Sequence, residues 1–209
     1  MSELAIGSDG ANVAVALDGA WEHIRYQTKW TCEKWSEDAV DFARRKLGLS
    51  KETQVGSILL QSITPPEDCE VIFGNLLVNE GIQRMLDLLI VAGGNGFNNA
   101  NAYIGVGDTA TAASATDTEL LATANAANRF YKGMVATWPQ RTNQTVDWKA
   151  DFTTTEANFA WNEWTVATGA TTASGSGFLV GTTNLNRKVQ SLGTKASGTW
   201  TMTASITFS

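Results

Sequence analysis

The sequence predicts a mainly β chain of the α+β class. An antiparallel β-sandwich occupies the C-terminal half, and an N-terminal elaboration carries two helices. Three observations lead there. Trp200, Met202, Ala204, Ile206 and Phe208 alternate with Thr201, Thr203, Ser205, Thr207 and Ser209. Strand side chains point to opposite faces with period two, so this is a strand with one apolar and one hydroxyl face. Val146, Trp148, Ala150 and Phe152 alternate in the same way with Asp147, Lys149 and Asp151. The connections within residues 145–209 are too short, or too poor in helix formers, for crossover helices, so neighbouring strands pair antiparallel. A one-residue slip of the last strand would turn its apolar side chains to water, at about 1.5–3 kcal/mol for each large one, which specifies the register strongly.

The elements follow in order. Residues 1–11 read as a polar arm. Val13, Val15 and Leu17 alternate with small residues before an Asp18-Gly19 turn signal, a candidate first strand. Residues 21–35 are rich in aromatic and β-branched side chains and predict a strand as far as about Cys32. Ser36 then fits a helix N-cap, with Glu37 and Asp38 in the first turn where carboxylates suit the helix dipole. Ala39, Val40, Phe42, Ala43 and Leu47 form its apolar stripe, Arg44, Arg45 and Lys46 its last turn, and Gly48 its terminator. Residues 55–63 predict a strand stopped by Pro65-Pro66, and Glu67, Asp68 and Glu70 a solvated acidic loop. Asn79 fits the cap of a second helix. Ile82, Met85, Leu86 and Leu89 share one face, Leu88 and Ile90 widen it, and Gly93-Gly94 ends it. So wide an apolar face calls for burial against the sheet or a neighbouring subunit.

Residues 95–99 form a loop, 102–106 a short strand, 117–127 a short helix, and 129–135 a strand ended by Trp138-Pro139. Residues 158–166 and 186–189 supply further strands of the sandwich. The predicted division is an arm with short strands over 1–35, a mixed helix and strand segment over 36–100, and the sandwich body over 101–209. The last two form one compact domain.

Composition narrows the function. The net charge is −6, charged residues make up only 17% of the chain, and basic residues are scattered apart from Arg44-Arg45-Lys46. Binding nucleic acid through its phosphates needs a basic patch, so no nucleic-acid partner is expected. Cys32 and Cys69 belong to no Cys-x-x-Cys pattern, so neither a disulfide framework nor a zinc site is expected. No stretch is long and apolar enough to span a bilayer, and Met1 to Gly7 lacks the pattern of a secretion leader, which predicts no membrane partner and synthesis in a cytoplasm. There are eight Trp, a residue favoured both in sandwich cores and at contact surfaces, and Trp21, Tyr26, Trp30 and Trp35 are taken as interface candidates.

The catalytic motifs are decoys. Gly105-Val-Gly-Asp-Thr-Ala110 matches a dinucleotide-binding turn, but the fingerprint needs a helix opening at once, the next stretch is Thr/Ala/Ser-rich, and no acid-ended second strand follows, so the glycines read as turn glycines and no cofactor is expected. His23 is the single histidine and lies far from any nucleophile motif. Asn143-Gln-Thr145 matches a glycosylation sequon of little meaning without a leader. Glu156 and Glu163 make the most tempting carboxylate pair, since Glu163 sits between Trp161 and Trp164 as in some sugar sites. The preferred role for Glu163 is structural, paired with Arg187 or Lys188 across the sheet, because a partly buried carboxylate needs such a partner. Neither a catalytic nor a metal-ligating residue is expected.

Several stretches taken together carry a resemblance. They are Asn75-Leu-Leu-Val-Asn-Glu-Gly-Ile82, Ala102-Tyr-Ile-Gly-Val-Gly-Asp108, and Arg129-Phe-Tyr-Lys-Gly-Met134 with Trp138-Pro139. Ala157-Asn-Phe-Ala-Trp-Asn-Glu163, Asn186-Arg-Lys188, Gly193-Thr-Lys195 and the closing strand continue the series. In this order and spacing, over about residues 75–209, they resemble a group of tailed-bacteriophage virion proteins. The resemblance implies a structural component of the virion, attached to the head. The expectation is a capsid decoration protein on the outer head surface, bound to the major capsid protein and to copies of itself. The acidic balance disfavours the DNA-facing inner wall. A tail or tail-tip protein contacting the host is the alternative, and a carbohydrate-binding module or glycan hydrolase using Trp161, Glu163 and Trp164 is a third reading.

Overall fold

The computed structural model describes residues 25–169, 176–177 and 179–209. The expected polar arm, the candidate strand at 13–17, Trp21 and His23 lie outside the described residues. The described chain is mainly β: two antiparallel sheets packed face to face, with three helices. In chain order the elements are β1 (Tyr26–Trp35), α1 (Glu37–Leu47), α2 (Ser57–Ile63), β2 (Asp68–Phe73), β3 (Leu76–Leu77), α3 (Asn79–Leu89), β4 (Ala102–Gly107) and β5 (Arg129–Gly133). There follow β6 (Gln140–Thr142), β7 (Thr145–Phe152), β8 (Glu163–Thr168), β9 (Ser176–Gly177), β10 (Thr183–Asn184), β11 (Asn186–Val189) and β12 (Thr199–Phe208). One sheet runs β2-β1-β12-β7-β6. The other runs β3-β11-β8-β4-β5-β9, with β10 also on β8.

The alternation of β12 fixes how the sheets meet. Trp200, Met202, Ala204 and Ile206 stand opposite Phe152, Ala150, Trp148 and Val146 of β7, and on the other side Trp30 and Cys32 of β1 face Ala204 and Met202. This apolar face packs on Ile104 and Val106 of β4 and Trp164 and Val166 of β8. Edge-to-face rings run through the layer, Phe152 on Trp161 at 4.8 Å and Trp161 on Trp200 at 4.9 Å between centroids, the arrangement aromatic quadrupoles favour.

The hydroxyl face of β12 is not simply wet. Thr199 and Thr201 are buried there under a second core of Trp35, Val40, Val55 and Leu60. Thr201 donates to Asp151 Oδ1 (2.8 Å) and Thr199 to Val55 O (3.1 Å). The helices α1 and α2 therefore form a third layer over one end of the first sheet. Helix α1 has the expected termini: Ser36 Oγ accepts the Ala39 N–H (3.2 Å), and Gly48 takes a left-handed φ of 65°.

Several expectations need correction. Asp68 and Glu70, expected in a solvated acidic loop, lie on β2 and pair with Lys34, and Asn79 is the first residue of α3 rather than its cap, which is Val78. The strand expected at 55–63 is helix α2: Ser57 and Leu60, three apart, are its buried positions, and the Ser57 N–H is capped by Asp151 Oδ2 (2.8 Å) from β7. The helix expected at 117–127 is irregular, because Glu163 takes the N–H groups of Leu121 and Ala122 that a helix would have bonded internally. Helix α3 stops at Leu89, short of the glycines, where Val91 adopts a φ of 57° and the Ala92 N–H returns to Asp87 O (2.8 Å). The strand expected as far as about Cys32 is β1, which continues to Trp35 and is hydrogen-bonded on both sides.

Candidate functional site

Two places combine unusual chemistry with a clear physical cause. The first is a buried ion network under β8 and β11. Glu163 opens β8 with no exposed surface, and Arg187 of β11 is equally buried. Arg187 Nε donates to Glu163 Oε2 (2.7 Å), Nη1 to Asp117 Oδ2 (2.8 Å) and Ala112 O (3.2 Å), and Nη2 to Thr111 O (2.9 Å). The Ala122 N–H (2.7 Å) and the Leu121 N–H (3.2 Å) complete the Glu163 carboxylate. A buried ion pair is tolerated when such additional hydrogen bonds satisfy it. The network pins the irregular segment 108–122 onto the sheet. Lys188, the other partner considered for Glu163, points to the opposite face of β11, donates to Phe73 O (3.1 Å), and has its amine pushed below the usual lysine range by burial.

The glycines of the dinucleotide-like motif serve this packing. A Cβ on Gly107 would lie 2.5 Å from Glu163 Oε1 and 2.9 Å from Ala122 Cβ, and one on Gly105 would strike the Tyr131 ring at 2.5 Å. No helix follows β4, and both its neighbours are antiparallel, unlike a dinucleotide fold.

The sugar-site reading meets a direct obstacle. Trp161, Glu163 and Trp164 are all fully buried and present no face to a ligand. Glu156 lies elsewhere, bonded to Lys132 Nζ (2.6 Å) and to the Thr153 N–H (2.9 Å) and hydroxyl (2.8 Å). Burial pushes the Glu156 carboxyl up, but Lys132 and Thr153 outweigh it and leave it below the usual range.

The aromatic interface candidates also move. Trp30 and Trp35 are core residues, 1% and 0% exposed, so they are not contact residues. Trp30 packs edge-on to Trp164 at 6.2 Å, and Trp35 Nε1 donates to Thr64 O (3.1 Å). Trp30 and Cys32, two apart, share the face packed on the main core, while Trp35, five positions from Trp30, lies on the opposite face in the second core. Tyr26 is half-buried against the main core, and Trp21 lies outside the described residues.

The second place is a surface. Helix α3 is anchored by its first turn: Gly81 sits directly on the backbone of Asn184 and Leu185, with no room for a Cβ, and Glu80 accepts the Asn184 N–H (2.5 Å). Met85 reaches the core, but Ile82, Leu86, Leu89, Ile90 and Val91 remain exposed, Leu89 at 77% and Val91 at 87%. The wide apolar stripe was legible in the sequence; that nothing in the described chain covers it was not.

Among the described residues no group of His, Cys, Asp and Glu is placed to hold a metal, and no helix is long and apolar enough to cross a membrane. Cys32 and Cys69 are free thiols on neighbouring strands, one buried and one exposed. Comparison with family models, curated proteins and solved structures finds no match to this chain.

Proposed function

We propose that this chain is a structural protein of a tailed-phage virion, a decoration protein seated on the outer face of the head against the major capsid protein and copies of itself. The observation that carries the reading is the α3 ridge: Ile82, Leu86, Leu89, Ile90 and Val91 stand uncovered on a rigid, aromatic-filled double sheet. Contiguous exposed apolar surface of this kind marks a protein–protein contact. The order of motifs over residues 75–209 supplies the virion context, and the net charge of −6 favours the outer wall over the DNA-facing one. Closed symmetry is the default for such self-association.

The test is imaging and quantification of intact particles. Hundreds of copies on the outer head surface are expected. A few copies at the tail tip would favour the tail reading, and cross-links to the capsid interior would contradict the outer location. Removing residues 1–10 is expected to lower occupancy on particles while leaving the domain folded; unchanged occupancy would exclude a role for the arm.

A further inference from the structure

Lys195 is the exception among the buried cations of the described residues. Arg44, Arg129, Lys149 and Arg187 each have a carboxylate partner. Lys195 is fully buried, and among the described residues its Nζ has two neutral acceptors, Thr153 O (2.8 Å) and Asn158 Oδ1 (2.7 Å). Its backbone is held as firmly: the Lys195 N–H donates to Phe159 O (3.0 Å), and Thr194 bridges to Ala160. The Asn158 carboxamide is fixed from its other end, Nδ2 donating to Thr154 O (2.9 Å). Burial pushes the Lys195 amine down to about 8, with the charges of Glu156 and Glu37 opposing the shift. A lysine whose neutral form is accessible in a dry site is a nucleophile. The carboxamide carbon lies one C=O bond, about 1.23 Å, beyond Oδ1. Approach to Cγ comes over the face of the carboxamide, so Nζ must leave its in-plane hydrogen bond to Oδ1 to reach the about 3–3.5 Å separation of a near-attack pair.

We propose that Lys195 and Asn158 form an intramolecular isopeptide bond. The neutral Nζ attacks Cγ of Asn158, the new Nζ–Cγ bond forms, and the Cγ–Nδ2 bond breaks. Nδ2 takes the proton that Nζ gives up and leaves as ammonia, to solvent at the exposed Asn158. No oxidant, cofactor or second protein takes part. The hydrogen bonds from Lys195 to Oδ1 and from Nδ2 to Thr154 hold the carboxamide in place. The bond closes a loop across 37 sequence positions, around β8, β9, β10 and β11, and ties the segment after β7 to the one before β12.

The experiment is mass spectrometry on the purified full chain. The intact mass is expected to fall short of the sequence mass by one ammonia. Trypsin is expected to leave the bond after Lys195 uncut and to release a branched peptide joining residues 150–187 to 189–209. Lys195→Met and Asn158→Ala are each expected to restore the sequence mass. Asn158→Ala trims an exposed side chain, so it keeps the comparison open if Lys195→Met does not fold. A wild-type chain at its full sequence mass, with Lys195 cleaved normally, overturns the proposal and leaves Lys195 a hydrogen-bonded core lysine. A deficit of one ammonia without the branched peptide, or one that persists in Asn158→Ala, also overturns it, because a succinimide at another asparagine gives the same mass.

Discussion

The Glu163–Arg187 network and the α3 ridge depart from the usual partition of residues in opposite directions. At the first, full charges are buried inside the fold. At the second, large apolar side chains stand in water. Burial of the charges is compensated within the chain, since Glu163 and Arg187 find Asp117, the carbonyls of Thr111 and Ala112, and the N–H groups of Leu121 and Ala122. No described residue compensates Leu89, Ile90 or Val91. The difference separates what the described fold satisfies within itself from what it leaves exposed, which is the surface the proposed assembly would cover.

The sharpest way to break this comparison is Arg187→Met. It leaves the Glu163 charge buried without its partner, and a loss of about 3–5 kcal/mol is expected in chemical denaturation, with faster amide exchange over residues 108–122. A cost typical of a surface substitution would mean that the network does not hold that segment. Gly107→Ala attacks the same place sterically, and a loss of about 1–3 kcal/mol is expected from the overlap with Glu163 and Ala122. Gly81→Ala, at the joint between the two regions, is expected to cost about as much, again about 1–3 kcal/mol, but with the exchange increase confined to α3.

The Glu156–Lys132 pair offers a milder test through pH. The Glu156 carboxyl lies below its unfolded value of 4.5. Its contribution is therefore present above pH 4.5 and is lost as pH falls through the folded value. Acid destabilisation below pH 4.5 is expected to shrink in Lys132→Met; an unchanged acid limb would remove the pair from the account. The smallest effect on folding belongs to the ridge. Leu86→Lys with Leu89→Lys, good helix formers whose charge suits the last turn of α3, is expected to shift stability by less than about 0.5 kcal/mol, as for surface substitutions, while abolishing the proposed self-association in sedimentation. A large loss of stability would show that the ridge is part of the core after all.

Much of the sandwich was readable from periodicity. The alternation at 200–208 and 146–152 matches the observed register, and Ser36 and Gly48 mark both ends of α1. Helix α2 was misread because its seven residues are too few for a helical period to stand out, and its cap comes from Asp151 on another strand. The segment 117–127 has helical composition, but the Glu163 carboxylate competes for its N–H groups. For the aromatic residues, spacing identified a strand without saying that the opposing sheet would cover Trp30 and the α1–α2 layer would cover Trp35, so both looked like contact residues and are core.

Local pattern alone was enough to set the period of the main strands, the termini of α1, the apolar stripe of α3 and the need of Glu163 for a basic partner. Those properties depend on neighbouring residues and on the geometry of a single strand or helix. The choice of Arg187 over Lys188, the burial of Trp30 and Trp35, the pairing of Lys195 with Asn158 and the exposure of α3 came only with the folded chain. Each of these depends on groups brought together across long stretches of sequence, 24 positions for Glu163 and Arg187 and 37 for Lys195 and Asn158. Solvent exclusion and charge pairing are properties of the assembled layers, and no run of consecutive residues contains them.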